Sequence, residues 1–248
     1  MRKVGLHDLQ VSTMIKRHAL ILILAISAGD PAFAISNGLA VSDDDPIQAV
    51  TVSVYGDNDD CTGVKVAPAF VLTARHCIID NTTRIAFRNG ALYKVIGRFS
   101  PAPTPAKITA DRDLALLKID GLVPGPVAEL ADDAATPLNG SVAWISGLGG
   151  RPITQKRNPL RKLVVTISNR NYSSFVIAIK AAHGGAVCDG DSGGPGYTEQ
   201  NGRIVIWGID NGSLRGNSKC ASNEAYFKVS SEYNWIRRII AGPLSGPR

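Results

Sequence analysis

The sequence predicts an all-β chain folded as two antiparallel barrels followed by one C-terminal helix. Three observations lead there. Short segments that alternate apolar with small polar residues fill the chain from Ala49 to Ile119 and again from Ser141 to Val229. The stretch Gly121–Pro137, rich in Pro, Gly and Asp and without periodicity, divides them into two sets. Only the end of the chain carries a helical stripe. In the first set, "AVTVSVY" (Ala49–Tyr55) alternates valine with small residues and so has one buried face. The runs "VKVAPAFVLTA", "TRIAF", "ALYKVIGRF" and "LALLKI" continue it. The second set comprises "SVAWIS", "KLVVTIS", "FVIAI", "RIVIWGI" and "AYFKV". In "SSEYNWIRRIIAG", Trp235, Ile236, Ile239 and Ile240 share a face, and Ser230 or Ser231 is the expected N-cap. No period of 20 to 50 residues is present, which excludes a propeller or solenoid.

The N-terminus reads as a targeting segment. Lys16, Arg17 and His18 precede the apolar run Ala19–Ala28, and Ala32-Phe33-Ala34 has the small residues of a cleavage site. The expectation is a signal peptide over residues 1–34, with Met14 as an alternative start, and a secreted product, extracellular or periplasmic. The run is too short to span a bilayer, so no stable membrane insertion is expected. The whole chain has 27 Lys+Arg against 21 Asp+Glu. The leader holds Arg2, Lys3, Lys16 and Arg17 against Asp8 and Asp30, so its loss takes the excess from +6 to about +4. No basic run interleaved with aromatics occurs, and no nucleic-acid partner is expected.

All four cysteines, Cys61, Cys77, Cys188 and Cys220, lie beyond the leader and contain no C-x-x-C. An even count in an exported chain points to two disulfides, with three pairings open. His7 and His18 leave with the leader, so His76 and His183 are the remaining histidines.

"CDGDSGGP" (Cys188–Pro195) surrounds Ser192 with glycines. That context suits a nucleophile: an exposed hydroxyl, with the Gly190 and Ser192 amides able to approach a developing oxyanion. "VLTARHC" ends an apolar strand at His76, and "DRDLALLKI" sets Asp113 just before another. Acyl transfer by serine needs a base within reach and a carboxylate to hold that base's tautomer. His183, in "AAHGG", lacks such a context and reads as a surface or structural residue, leaving His76 as the base. "GDSGG" also fits the G-x-S-x-G of α/β-hydrolases, but the order His, Asp, Ser and the strand-rich pattern reject that fold. "DNDD" (Asp57–Asp60) lacks EF-hand spacing, and no metal or other cofactor is expected.

These three motifs, in this order, resemble those of the trypsin-like (chymotrypsin-family) serine proteases, and the likeness runs from Ile35 to the C-terminal helix. The resemblance implies six-stranded barrels over 35–120 and 138–230, joined by 121–137, with the site in the cleft between them and a helix over 231–241. It implies Ser192 as nucleophile, His76 as general base, Asp113 as its orienter, and Gly190 with Ser192 as the oxyanion hole. It pairs Cys61 with Cys77 and Cys188 with Cys220. "ISNG" resembles the family's mature N-terminus, whose freed amine would pair with Asp191, so Ala34-Ile35 ends the signal and begins the enzyme. By the same likeness Trp207 and Gly208 form the strand edge for substrate, with Ala186, Val187 and Glu224 around the specificity pocket. Arg75 stands where relatives usually carry alanine, and Ile206 where they have a serine that supports the triad aspartate. The expected product is a monomeric endopeptidase acting on proteins or peptides and open to protein inhibitors. The alternative is a silent, protease-fold binding protein or decoy.

Overall fold

The alternation of valine with small residues does close a barrel, with more strands than the pattern shows. The computed structural model describes residues 34–56, 60–78, 83–101, 109–150, 159–214 and 219–242. The leader before Ala34 and the Asp57–Asp59 part of the acidic loop lie outside them. The first barrel consists of β1 (Thr51–Tyr55), β2 (Asp60–Ala67), β3 (Phe70–Thr73), β4 (Arg84–Ala86), β5 (Leu92–Phe99) and β6 (Ala115–Ile119). The strands close antiparallel in the order β1-β2-β3-β6-β5-β4. The run 64–74 becomes two strands because Pro68 has no amide for the ladder and the chain reverses at Pro68-Ala69. Val52, Val54, Val64, Leu72, Ile85 and Leu116 are fully buried.

The second barrel repeats the winding. Its strands are β7 (Val142–Gly147), β8 (Arg161–Asn169), β9 (Val176–Ala181), β10 (Pro195–Gln200), β11 (Arg203–Ser213) and β12 (Asn223–Lys228). They close as β7-β8-β9-β12-β11-β10, again antiparallel. β10 has no alternating pattern. It becomes a strand because β7 and β11 flank it, with Pro195 at the first position, where proline is tolerated. Ile145, Val165, Ile177, Ile179, Trp207 and Tyr226 fill the interior.

Two short pieces brace this barrel. Leu39–Ala40 pairs with β8, and Glu129–Leu130, within the connector, lies parallel to Val205-Ile206. The C-terminal helix runs Tyr233–Ala241 after a 3-10 turn, Val229–Glu232. Neither serine caps it: Glu232 is the N-cap residue, and Ser231 Oγ donates instead to Lys228 O at 2.7 Å. Ile236 is fully buried, and Trp235, Ile239 and Ile240 pack on the same core. No helix among the described residues is long and apolar enough to cross a membrane.

Candidate active site

His76 lies in a 3-10 turn, Arg75–Ile78, at the end of β3, tied back to β2 by the Cys61–Cys77 disulfide. Asp113 follows another such turn, Ala110–Arg112, just before β6. β3 and β6 are neighbours, with Thr73 opposite Ala115, so the two turns meet. Asp113 Oδ1 accepts the His76 backbone N–H at 2.8 Å, and Oδ2 lies 2.6 Å from His76 Nδ1. Backbone and ring are held by one carboxylate. With that acceptor on Nδ1, the proton belongs there and the lone pair is on Nε2. The Asp113 side chain is 4% exposed and that of His76 31%, so a buried carboxylate backs a partly exposed ring.

Ser192 comes from the loop before β10. The amides of Asp189, Asp191, Gly193 and Gly194 all donate to backbone carbonyls. Those of Gly190 and Ser192 have no such acceptor among the described residues. Backbone donors are rarely left idle, so two uncommitted amides flanking one short segment suit an oxyanion. Gly190 is required twice over: its φ is +89°, and a Cβ would stand 1.8 Å from Gly150 N. At Gly193 a Cβ would stand 2.4 Å from Thr62 O, so the loop presses directly on the first barrel.

Thr62, on β2, joins the barrels at that point. Its N–H donates to Ser192 O at 2.9 Å and its Oγ1 to Gly190 O at 2.9 Å, while Oγ1 accepts the Leu148 N–H at 3.0 Å. Cys77 Sγ lies 3.7 Å from Ser192 O, which brings the histidine turn against the same loop. The sequence offered no signal for Thr62, since threonine in a valine-rich strand reads as an ordinary strand former.

Asp191 is 1% exposed. Its Oδ2 accepts the Ile35 and Cys188 amides at 2.9 Å each, and Oδ1 accepts that of Gly149 at 3.0 Å. Burial pushes its carboxyl up to about 7 in spite of these bonds. Ile35 is 1% exposed with φ +33°, a region β-branched residues avoid. Ser36 exchanges backbone hydrogen bonds with Ala186 at 2.8 and 3.1 Å. Both disulfides form as the resemblance implied. Because Cys61 and Cys77 are bonded to each other, their grouping with His76 has no thiolate for a metal.

Three residues stand elsewhere than expected. Gly208 lies inside β11, opposite Gly196 on one side and Lys228 on the other, and Trp207 is fully buried in the second core. A strand with partners on both sides has no edge for a substrate. Ile206 is also fully buried and packs in the hydrophobic core. β11 reaches the site further along. Asp210 exchanges backbone bonds with Gly193 and Gly194 at 2.9 Å each, and Asn211 Nδ2 donates to Ala110 O at 2.8 Å, on the turn that carries Asp113. Asn211 thus holds the turn that precedes Asp113, and Asn211–Gly212 lies beyond the last β10 pair. Bulges at Gly196/Tyr197 and Asp210/Gly212 interrupt the pairing of β11 with its two neighbours.

Around the expected pocket, Ala186 is half-buried and Val187 packs in the second core. Glu224 is 2% exposed, and its Oε2 is buried without a partner. Burial, then the charges of Asp210 and Asp191, push its carboxyl well above the ordinary range. Burial raises Asp210 too; the Gly212 amide and His76 oppose the shift, while Asp191 and Asp113 add to it. Arg75 Nη1 is buried rather than solvated. His183 is exposed, on a positive-φ turn.

Comparison with known proteins accords with this geometry. A beta-fibrinogenase-like protein of Daboia siamensis is 28% identical over 218 residues, spanning 77% of this chain and 82% of its own. A chymotrypsin of Phaedon cochleariae is 27% identical over 84% of this chain and 83% of its own. Among solved structures, mouse-brain neuropsin, a serine protease, superposes with TM-score 0.66 at 19% identity, over 82% of this chain and 98% of that one. A scabies mite inactivated protease paralogue also reaches 0.66, at 22% identity, over 80% and 98%. The fold alone therefore does not carry activity. Residues 41–236 match the family model described as Trypsin, and the chain belongs to the trypsin family as a trypsin-like serine endopeptidase.

Proposed function

We propose that residues 1–34 are removed on export and that 35–248 hydrolyse peptide bonds outside the cytoplasm through an acyl-enzyme on Ser192. His76 is the general base, and Asp113 holds its tautomer. One observation carries this reading: the His76–Asp113 pair abuts a serine loop whose Gly190 and Ser192 amides are uncommitted. His76 Nε2 takes the Ser192 hydroxyl proton as Oγ adds to the carbonyl carbon. The two amides donate to the oxyanion, and the imidazolium returns the proton to the leaving amine. Water then repeats the sequence on the ester. The substrate backbone adds as a strand along Asn211–Gly212.

Activation follows from the bond between Ala34 and Ile35. Cutting it removes the strained Ile35 φ and converts the amide already 2.9 Å from Asp191 Oδ2 into an ammonium. In the uncut chain the Asp191 value is raised, so its stabilising contribution is present at low pH and lost as pH rises through about 7. With the ammonium in place the carboxylate is paired and that loss is reversed.

Two measurements test the reading. The exported protein is expected to begin at Ile35 and to label with a fluorophosphonate, and Ser192→Ala is expected to abolish labelling. The uncut chain is expected to melt lower at about pH 8 than at about pH 5, by more than the chain beginning at Ile35. An exported protein that starts at Ile35 yet neither labels nor cleaves any peptide would establish the silent alternative.

A further inference from the structure

The first barrel has a pocket of its own, about 390 Å³, where its strands meet the connector. That size falls within the roughly 300–1,000 Å³ of small-molecule sites. Lys65 on β2, Phe87 just after β4, and Pro124 of the connector line it, with Gln48 from the short helix Pro46–Val50 and Arg88. None of these residues belongs to the catalytic arrangement. Lys65 and Thr62 share β2 but are three residues apart, so their side chains leave opposite faces of the strand. Thr62 serves the serine loop, and Lys65 serves the pocket.

The charge around the pocket is unbalanced. Lys65 and Arg88 bring two cations to it, and Asp43 is the one carboxylate among its described lining residues. Lys65 Nζ donates to Pro124 O at 3.0 Å and reaches Val123 O at 3.5 Å. An ammonium has three N–H groups, so a donor remains beyond these two carbonyls. Burial is the whole cause that pushes the Lys65 ammonium below its ordinary value, with no carboxylate opposing it. Arg88 Nε donates to Gln48 Oε1 at 2.9 Å, which holds the guanidinium beside the pocket. The apolar part is equally fixed. The Phe87 ring lies 6.0 Å from Lys65 Nζ and meets Tyr93 edge-on, with centroids 5.5 Å apart. Val123 N donates to Pro68 O at 2.8 Å and Ala128 N to Lys65 O at 2.9 Å, so the connector is pinned on both sides of its prolines. A site whose walls are already set spends little on ordering when a ligand enters.

We propose that this pocket binds a small organic oxyanion, a carboxylate, sulfate or phosphate group on a flat apolar body, at a site separate from the catalytic cleft. The head group accepts the remaining Lys65 N–H and lies in the field of Arg88, where bonds to an ionised donor are the strong ones. The body lies against Phe87, Pro124 and Pro126. An inorganic anion meets the cations and leaves the apolar surface wet. A neutral body leaves the Lys65 charge without a counter-ion, and a buried charge without one is costly. A metal ion does not suit the site, because hard cations need several oxygen ligands and the lining offers one carboxylate between two cations.

The test is calorimetric titration of the purified protein with phenyl phosphate, benzoate and inorganic sulfate. The two aromatic anions are expected to bind saturably, one per chain, with Kd below about 1 mM, and sulfate at least about 10-fold more weakly. Arg88→Gln and Lys65→Met are each expected to weaken phenyl phosphate by about 10-fold, the usual scale for a hydrogen bond to a charged group. Asp43→Asn removes the one like charge facing the ligand and is expected to tighten binding by about 2–5-fold. Arg88→Gln is expected to leave fluorophosphonate labelling and melting temperature unchanged. If Lys65→Met does not fold, Arg88→Gln and Asp43→Asn decide the matter by their opposite signs. Three results overturn the proposal. One is the absence of saturable binding. Another is binding that both Arg88→Gln and Asp43→Asn leave unchanged, as an anion held by the Gly190 and Ser192 amides would behave. The third is sulfate binding as tightly as phenyl phosphate. Every titration is independent of turnover, so the protease reading stands or falls on its own measurements.

Discussion

The two barrels wind their six strands in the same order, yet they bury carboxylates in opposite ways. The first hides Lys65, 2% exposed, and satisfies it with the backbone of the connector: Nζ donates to Pro124 O at 3.0 Å and approaches Val123 O at 3.5 Å. It also hides Asp113, whose two oxygens both meet His76. The second hides Lys228, whose Nζ donates to Asn171 Oδ1 at 2.9 Å, and also three acids, Asp191, Asp210 and Glu224, with no lysine or arginine among the charges that shift them. Folding completes the first barrel. The second keeps Glu224 Oε2 without a hydrogen-bond partner. A catalytic base needs a rigid and finished support, whereas a recognition site needs something left unsatisfied until the ligand arrives.

The comparison breaks most easily at the reacting groups. Ser192→Ala and His76→Ala, one from each barrel, are each expected to lower kcat by about 10⁶, and Asp113→Asn by about 10⁴, with melting temperature unchanged for Ser192→Ala. Steady-state kinetics beside thermal melts check this. If His183→Ala were damaging and His76→Ala silent, the first barrel would not supply the base.

The junction comes next. Thr62→Val keeps the strand and its backbone bond to Ser192 but deprives Gly190 O of a donor and the Leu148 amide of an acceptor. Each buried group left unpaired costs about 1–3 kcal/mol, so kcat/KM is expected to fall about 10–100-fold. Rapid labelling by a fluorophosphonate in this variant would show that the oxyanion loop does not depend on the first barrel.

The smallest effects separate the two styles of burial. Glu224 is raised by burial, so its contribution is present below the ordinary glutamate range and is lost as pH rises. Glu224→Gln is therefore expected to raise stability, by about 1–3 kcal/mol near pH 8 in urea denaturation. Lys65→Met strips two backbone carbonyls of their donor and is expected to cost about 1–2 kcal/mol. Changes of the same sign would show that the barrels do not differ in this respect.

Much of this molecule is legible in the chain alone, because much of it is local. The alternating valines, the aperiodic connector and the terminal apolar stripe depend on neighbouring residues, and they specify barrels and helix without long-range information. The motifs around His76, Asp113 and Ser192 are equally local, since strand ends and glycine loops carry their own chemistry. What depends on which strand lies beside which was not legible. Pro195–Gln200 is a strand because β7 and β11 enclose it. Trp207 and Ile206 were expected at the site, and the fold puts Asp210 and Asn211 there instead, because the register of β11 is set by its pairing with β10 and β12. A register slip changes every side chain's surroundings without changing the local pattern. Glu224 is the sharpest case. The resemblance sets a carboxylate near a pocket, but only the pairing of β11 with β12 turns it inward beside Asp210, where low polarity and like charge raise its carboxyl.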